Sequence, residues 1–221
     1  MAAHFTVLVS DEGLAALSKC SQLSDLKLDG TKITDQSIAA LAELPLSSIS
    51  LENTSITDPS FQVLLGISSL RFLSLSNTRI TGTGAISRET GEPVSVIDLN
   101  ACPLTHDGVT ALAGAKYMSA IYDKTSLWLN RTPLTDNDLL LFADNDEIGH
   151  LGIAGTKITS AGLKALYTAR KKRLQAAGTE EWLTVESDFP DIADRFLPNP
   201  ALPPAEPPSN EDATATNPPQ P

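Results

Sequence analysis

The sequence predicts an α/β solenoid, a right-handed stack of coils with a parallel β-sheet along one side and short helices along the other. Three observations predict it. A ten-residue string, apolar-x-apolar-x-x-Thr-x-Ile-Thr-Asp with small variations, occurs six times. Its second apolar residue falls at Leu28, Leu51, Leu75, Leu99, Leu129 and Ile153, with spacings of 23, 24, 24, 30 and 24 residues. Leucine fills 31 of 221 positions while aromatics supply 5%, so the core must be aliphatic and repetitive. Self-similarity at such a period marks a stacked-repeat fold, and parallel strands joined by one-sided crossovers take the right hand.

Each coil can be justified position by position. Alternation such as Leu26-Lys27-Leu28 has period two, which makes a short strand with the leucines inward and the middle residue outward. The threonine that follows (Thr31, Thr54, Thr78, Thr132, Thr156, with Cys102 in the fourth coil) sits where the chain leaves the strand, and its hydroxyl is expected to bond backbone groups of the neighbouring coil. An aliphatic core residue comes next (Ile33, Ile56, Ile80, Leu104, Leu134, Ile158). The second threonine, often with aspartate after it, is a helix N-cap signal. Apolar pairs at helical spacing then follow: Ile38 with Leu41, Phe61 with Leu64, Val109 with Leu112, and Leu139 with Phe142. One such unit cannot cover its own apolar face, so stacking is obligatory.

These residues resemble leucine-rich repeats of 23–24 residues. The Thr-x-Ile-Thr-Asp variant is similar to repeats of bacterial leucine-rich-repeat proteins and to the cysteine-containing class found in F-box substrate receptors. The likeness covers about residues 4–170, and its main departure is threonine, or Cys102, where the family usually carries asparagine. It implies a leucine-rich-repeat solenoid with a concave parallel sheet and convex short helices, and a non-enzymatic scaffold that binds another protein on the concave face. The F-box likeness implies an alternative, a substrate-receptor-like subunit of a ubiquitin-ligase assembly.

The organisation predicted is a partial N-terminal repeat over 1–22, six repeats over 23–177, a C-terminal cap over 178–197 and a proline-rich tail over 198–221. Val9-Ser10-Asp11 aligns with Ile33-Thr34-Asp35, which puts a strand at about 2–4 and a start in mid-repeat, as either a capping half-repeat or, slightly favoured, a repeat fragment of a larger, enzyme-bearing protein would show. A longer helix is expected from Ser160 to about Ala177, closed by Gly178. Trp182, Leu183, Val185, Phe189, Ile192 and Phe196 are expected to cap the last coil. The tail holds nine of the fifteen prolines, three acidic residues and no aromatics, a composition that favours disorder.

Composition narrows the function. The formal net charge of −11 argues against a nucleic-acid binder, no apolar run approaches membrane-helix length, and no secretory signal is visible, so a cytoplasmic location is expected. Cys20 and Cys102 form no disulfide framework, and no cofactor or metal site is expected. His106 takes the aspartate position at a helix start and reads as a capping residue. Gly82 and Gly84 lack the lysine and serine order of a phosphate loop. Asn53-Thr54-Ser55 and Asn130-Arg131-Thr132 are formal glycosylation sequons inside repeats. Arg170-Lys171-Lys172-Arg173 reads as a solvated helix end.

What remains is a surface. The outward strand positions are mostly small and polar, except for Phe72, Val96 and Trp128 on three successive strands. They are expected to form one apolar patch that contacts a protein partner, with Asn130, Arg131 and His150 at its edge. Periodicity breaks at 81–91, where the helix pattern is lost, and at 116–123, where six residues are added; loops at the binding face and simple drift of the repeat account for them equally well.

Overall fold

The structure, a computed structural model, describes residues 2–4, 9–17, 19–118, 124–178 and 183–189. Among the described residues, eight short strands follow the chain in order and pair in parallel with their sequence neighbours: β1 (Ala2–His4), β2 (Asp25–Lys27), β3 (Ser48–Ser50), β4 (Phe72–Ser74), β5 (Val96–Asp98), β6 (Thr125–Trp128), β7 (Ile148–Gly152) and β8 (Thr184–Glu186). Helices α1 (Asp11–Leu17), α2 (Asp35–Ile38), α3 (Asp58–Leu65), α4 (His106–Gly114), α5 (Asp136–Leu140) and α6 (Ser160–Ala177) lie between them. This is the α/β solenoid the periodicity predicts, with the aliphatic residues of both layers in one continuous core. Six strings become eight strands because Ala2–His4 and Thr184–Glu186 pair at the two ends without the repeat's leucines.

The register follows the repeat. Leu26, Ile49, Leu73, Ile97, Leu127, Leu151 and Val185 are mutual partners and buried. The pairing runs on past each strand. Gly30, Asn53, Asn77, Ala101 and Arg131 donate their backbone N–H to the carbonyls of Glu52, Ser76, Asn100, Asn130 and Ala154 in the next coil. At that point the chain bends away, and the turn residue lies in the left-handed region in every coil: Gly30, Asn53, Asn77, Ala101, Arg131 and Gly155, with φ between 56° and 68°. Glycine and asparagine tolerate that conformation; alanine and arginine do so at a cost of about 1–2 kcal/mol.

The threonine one step further on behaves differently from expectation. Thr31, Thr54, Thr78, Thr132 and Thr156 donate their hydroxyls to Leu28, Leu51, Leu75, Leu129 and Ile153, three residues back in their own coil. The hydroxyl closes its own turn because the left-handed residue brings that carbonyl within reach. The link between coils in this column is made at Cys102, whose Sγ lies 3.3 Å from the Leu75 carbonyl and 3.4 Å from the Thr78 hydroxyl.

The coils are tied together at the helix starts. Asp35 accepts from the Thr57 N–H at 2.8 Å, from the Thr57 hydroxyl at 2.6 Å and from the Ser60 hydroxyl. Asp11 holds Thr34 and Ser37, Asp58 holds Thr81, and Asp136 holds Thr159 in the same manner. Burial alone would raise the carboxyl pKa of Asp35, but the donated hydrogen bonds outweigh it and hold the group below its ordinary value.

The rung is missing where the string lacks aspartate, and other contacts replace it. Gly82 stands at that position in the third coil, and a Cβ there would lie 2.9 Å from the Gly108 backbone, so the glycine pair lets consecutive coils touch directly. His106 stands there in the fourth coil. It does not cap: Thr105 accepts from the Gly108 N–H, while the His106 ring meets Asp138, which itself binds Thr135. The lost helix pattern at 81–91 corresponds to irregular chain between β4 and β5. It lies in the helix layer, against Asp58 and Gly108, and so on the side opposite the sheet's open face, because its glycines are needed for helix-side packing. Residues 119–123 of the second break lie outside the described residues; Tyr117 before them is fully buried.

Two buried arginines do the work of missing hydrogen-bond donors. Arg88, within the irregular segment, donates to the carbonyls of Leu65, Ile67, Leu70 and Glu92. Leu65, Ile67 and Leu70 belong to the end of α3 and the turn after it, and Glu92 to the irregular segment itself. Arg170 belongs to the run expected to be solvated, yet its side chain is 0% exposed and donates to the carbonyls of Phe142 and Asn145. Arg173 reaches the Ala143 carbonyl and the Asp146 carboxylate. Lys171 and Lys172 are exposed as expected. Burial wins for the arginines because they face the last turn of the fifth coil. Helix α6 ends at Gly178 with φ 66°, and Leu183 and Val185 are buried beneath it, with Phe189 packed alongside. Trp182, Ile192, Phe196 and the tail lie outside the described residues.

Two outcomes test these contacts. Asp35→Asn is expected to cost about 1–2 kcal/mol in denaturant unfolding at neutral pH. Because the folded pKa is depressed, the carboxylate's contribution is fully present above about pH 4 and is lost as the pH falls through the folded value; the variant should show a shallower acid limb than the parent. Arg88→Met is expected to cost about 2–4 kcal/mol, since it strands several buried carbonyls, and thermal unfolding measures it.

Candidate functional site

The sheet's open face carries three columns of side chains fixed by the register. The first holds Asp25, Ser48, Phe72, Val96, Ser126, His150 and Thr184; the second holds Lys27, Ser50, Ser74, Asp98, Trp128, Gly152 and Glu186. The third, just beyond the strands, holds Asp29, Glu52, Ser76, Asn100, Asn130 and Ala154. Phe72 and Val96 are therefore direct partners on β4 and β5, whereas Trp128 lies in the adjacent column on β6, opposite Asp98.

Most polar groups of this face bond one another. Asp29 accepts from the Ser50 hydroxyl and the Glu52 N–H, and Glu52 accepts from the Ser74 hydroxyl. The Asp98 Oδ1 accepts from the Ser76 hydroxyl at 2.7 Å and the Asn100 N–H at 2.9 Å. The Asn100 Oδ1 accepts from the Asn130 N–H, and the Asn130 Oδ1 from the Ala154 N–H. Asn130 thus spends its backbone donor and its side-chain oxygen on the sheet's own margin.

The apolar residues stand out against that background. Phe72 is 46% exposed, one of two large hydrophobic residues so exposed among those described; the other, Leu140, is on helix α5. Phe72, Val96 and Trp128 line one shallow depression of about 430 Å³ with Ser48, Ser74 and Asp98. The indole of Trp128 leans towards β7. It lies over Gly152, where a Cβ would come 2.5 Å from the ring, and its centroid is 4.6 Å from that of His150 at 48°.

His150 is half-buried on the far side of that indole, and its Nε2 has no hydrogen-bond partner among the described residues. Burial lowers the imidazole pKa, against an opposing pull from Glu186, so the ring is neutral at pH 7. Arg131 is exposed on its left-handed turn with its stem over Gly155, and it lines a second depression, of about 470 Å³, with Glu52, Asn77, Asn100 and Asn130. The sequence-predicted residues thus divide: Phe72, Val96, Trp128 and Asn130 border one depression, His150 supports the indole from behind, and Arg131 belongs to the neighbouring hollow.

Two contributors escaped the sequence reading. Asp98, in the lining of the depression, was one small polar residue in a column of them. Gly152 makes room for the indole, and its signal was the absence of a side chain opposite a tryptophan.

With this geometry in view, the fold is that of a leucine-rich-repeat solenoid. A leucine-rich-repeat family model matches residues 66–87. The fold is similar to that of a crystallised internalin from Listeria monocytogenes, at 16% sequence identity and a TM-score of 0.56, over 85% of this chain and 46% of that one. This chain therefore spans about half the length of that internalin chain. No curated protein sequence matches it. No helix among the described residues is long and apolar enough to cross a membrane.

The packing of Trp128 on Gly152 can be tested. Gly152→Ala is expected to leave the fold intact but lift the indole from β7, since the obstructing atom belongs to a side-chain ring. Tryptophan emission, read in a Trp182→Phe background, should shift to longer wavelength.

Proposed function

We propose that the chain is a protein-interaction scaffold whose open sheet face binds a partner around Phe72, Val96 and Trp128. The observation that carries this reading is the exposed Phe72 ring beside Val96 and Trp128, in a face whose polar groups are otherwise bonded to one another. An aromatic cluster at the centre of a polar, rigid surface is the arrangement in which a few residues dominate interface energy. The strands beneath are held by continuous backbone pairing and a fully buried core, so the surface is preorganised and binding orders little of the scaffold. Asn130, Arg131 and His150 complete the proposed contact: the first two at the strand ends, the third by fixing the indole.

The experiment is affinity capture with the full chain, followed by titration of the purified partner. Phe72→Ser removes an exposed ring without opening the core and is expected to weaken binding by about tenfold or more, equivalent to at least about 1.4 kcal/mol. Lys171→Ser, on the helix side, should leave binding unchanged. Equal affinities for the parent and Phe72→Ser would sink the proposal.

A further inference from the structure

We infer that the Phe72 depression takes a cationic side chain, an arginine or lysine from a basic segment of the partner, with Asp98 as its counter-charge. This rests on the open-face reading above and names the chemistry of the partner that the face fits. The depression is lined by apolar groups, among them Phe72, Val96 and the Trp128 indole, and by one carboxylate, that of Asp98. The Asp98 Oδ1 is committed to Ser76 and Asn100, which fixes the group in place, and its Oδ2 is left for an incoming donor. Long cationic side chains suit such a site, because their methylene stems cover apolar surface while the charged head meets a carboxylate. The indole beside Asp98 adds attraction for a cation lying across its face.

The surroundings carry the same sign. Asp25, Asp29, Glu52 and Glu186 stand on the same columns. Of the cations near them, Lys27 is paired with Asp29 at 3.2 Å, Arg71 at the strand start pairs with Glu92, and Arg131 lies out on the turn. The field over the face is therefore acidic and favours a basic partner in both encounter and orientation. Charge also disfavours two other occupants. The tail over 198–221 contains Glu206, Glu211 and Asp212 and no lysine or arginine, and a second copy of the chain would bring an acidic surface of formal net charge −11.

The test uses the full chain, isotope-labelled, and three labelled octapeptides identical except at two positions flanking a central leucine, which are arginine, glutamine or glutamate. The readout is the Trp128 indole N–H resonance, assigned through Trp128→Phe. The arginine peptide is expected to move it and to bind about tenfold or more tightly than the glutamine peptide, with the glutamate peptide weakest. Added salt should weaken the arginine peptide most. Asp98→Asn keeps the shape and the Oδ1 acceptor, and should reduce the arginine peptide to the level of the glutamine one, whereas Asp107→Asn at the exposed start of α4 should change nothing. The inference is overturned if arginine and glutamate peptides bind alike, if none moves the indole at concentrations of about 5 mM, or if Asp98→Asn binds the arginine peptide as the parent does. If all three peptides bind equally and Phe72→Ser abolishes them all, the cation inference fails while the open-face scaffold stands. If Phe72→Ser affects neither the peptides nor a captured partner, both fall.

Discussion

The rung between an aspartate in one coil and the capping threonine of the next is the constraint on which the rest of the structure depends. Each coil has a strand of three to five residues and a helix that is often a single turn or two. Neither element is stable by itself at such length. Leucine stacking supplies the driving force, but apolar contact is non-directional and would tolerate slippage of one coil over another. The carboxylate of Asp35 cannot slip, because it accepts from both the backbone and the hydroxyl of Thr57 and from Ser60. It also fixes where the next helix begins, and through that the phase of the next strand. The register of the open face is thus decided on the opposite side of the molecule.

The middle of the stack shows what happens when the rung is absent. Gly82 replaces the carboxylate by direct backbone approach to Gly108, and the irregular chain after it forfeits the helix that would have closed its own hydrogen bonds. A buried charge is a costly way to satisfy carbonyls unless every donor is used. Arg88 meets that condition with donors to four carbonyl groups, while Arg170, at the last turn of the fifth coil, gives its Nη1 to the carbonyls of Phe142 and Asn145 and sets its Nη2 3.9 Å from the Asp146 carboxylate. Where the repeat is regular, short hydroxyl and carboxylate contacts suffice.

The strands, the capping threonines and the core aliphatics were legible in the sequence because they recur, and recurrence exposes what each position must do. The columns of the open face were legible for the same reason, since period-two alternation dictates which side chains point outward. Other features were hidden for physical reasons. The destination of the Thr31 hydroxyl depends on the left-handed residue before it, and the glycines and asparagines at 30, 53, 77 and 155 carried that signal unread. The burial of Arg170 depends on the neighbouring coil's carbonyls, which no local pattern announces. The lean of Trp128 onto Gly152 is a pairing between adjacent strands 24 residues apart, so neither residue reveals it alone.

The plainness of the open face has an energetic meaning. Serines, asparagines and acids along it already satisfy one another, as Glu52 does with Ser74 and Asn100 with Asn130. A surface that bonds itself loses less when water is removed than one whose groups depend on solvent, because desolvation is expensive chiefly for polar atoms left unmatched. A modest anchor then suffices for association, since little of its contribution is spent on stripping water from the surroundings. Phe72 is the residue that such a surface leaves unsatisfied, and Asp98 beside it is the charge held in place with an oxygen to spare. The small polar columns are therefore part of the binding argument, not its background: they make the depression between β4 and β6 the place where contact is worth most.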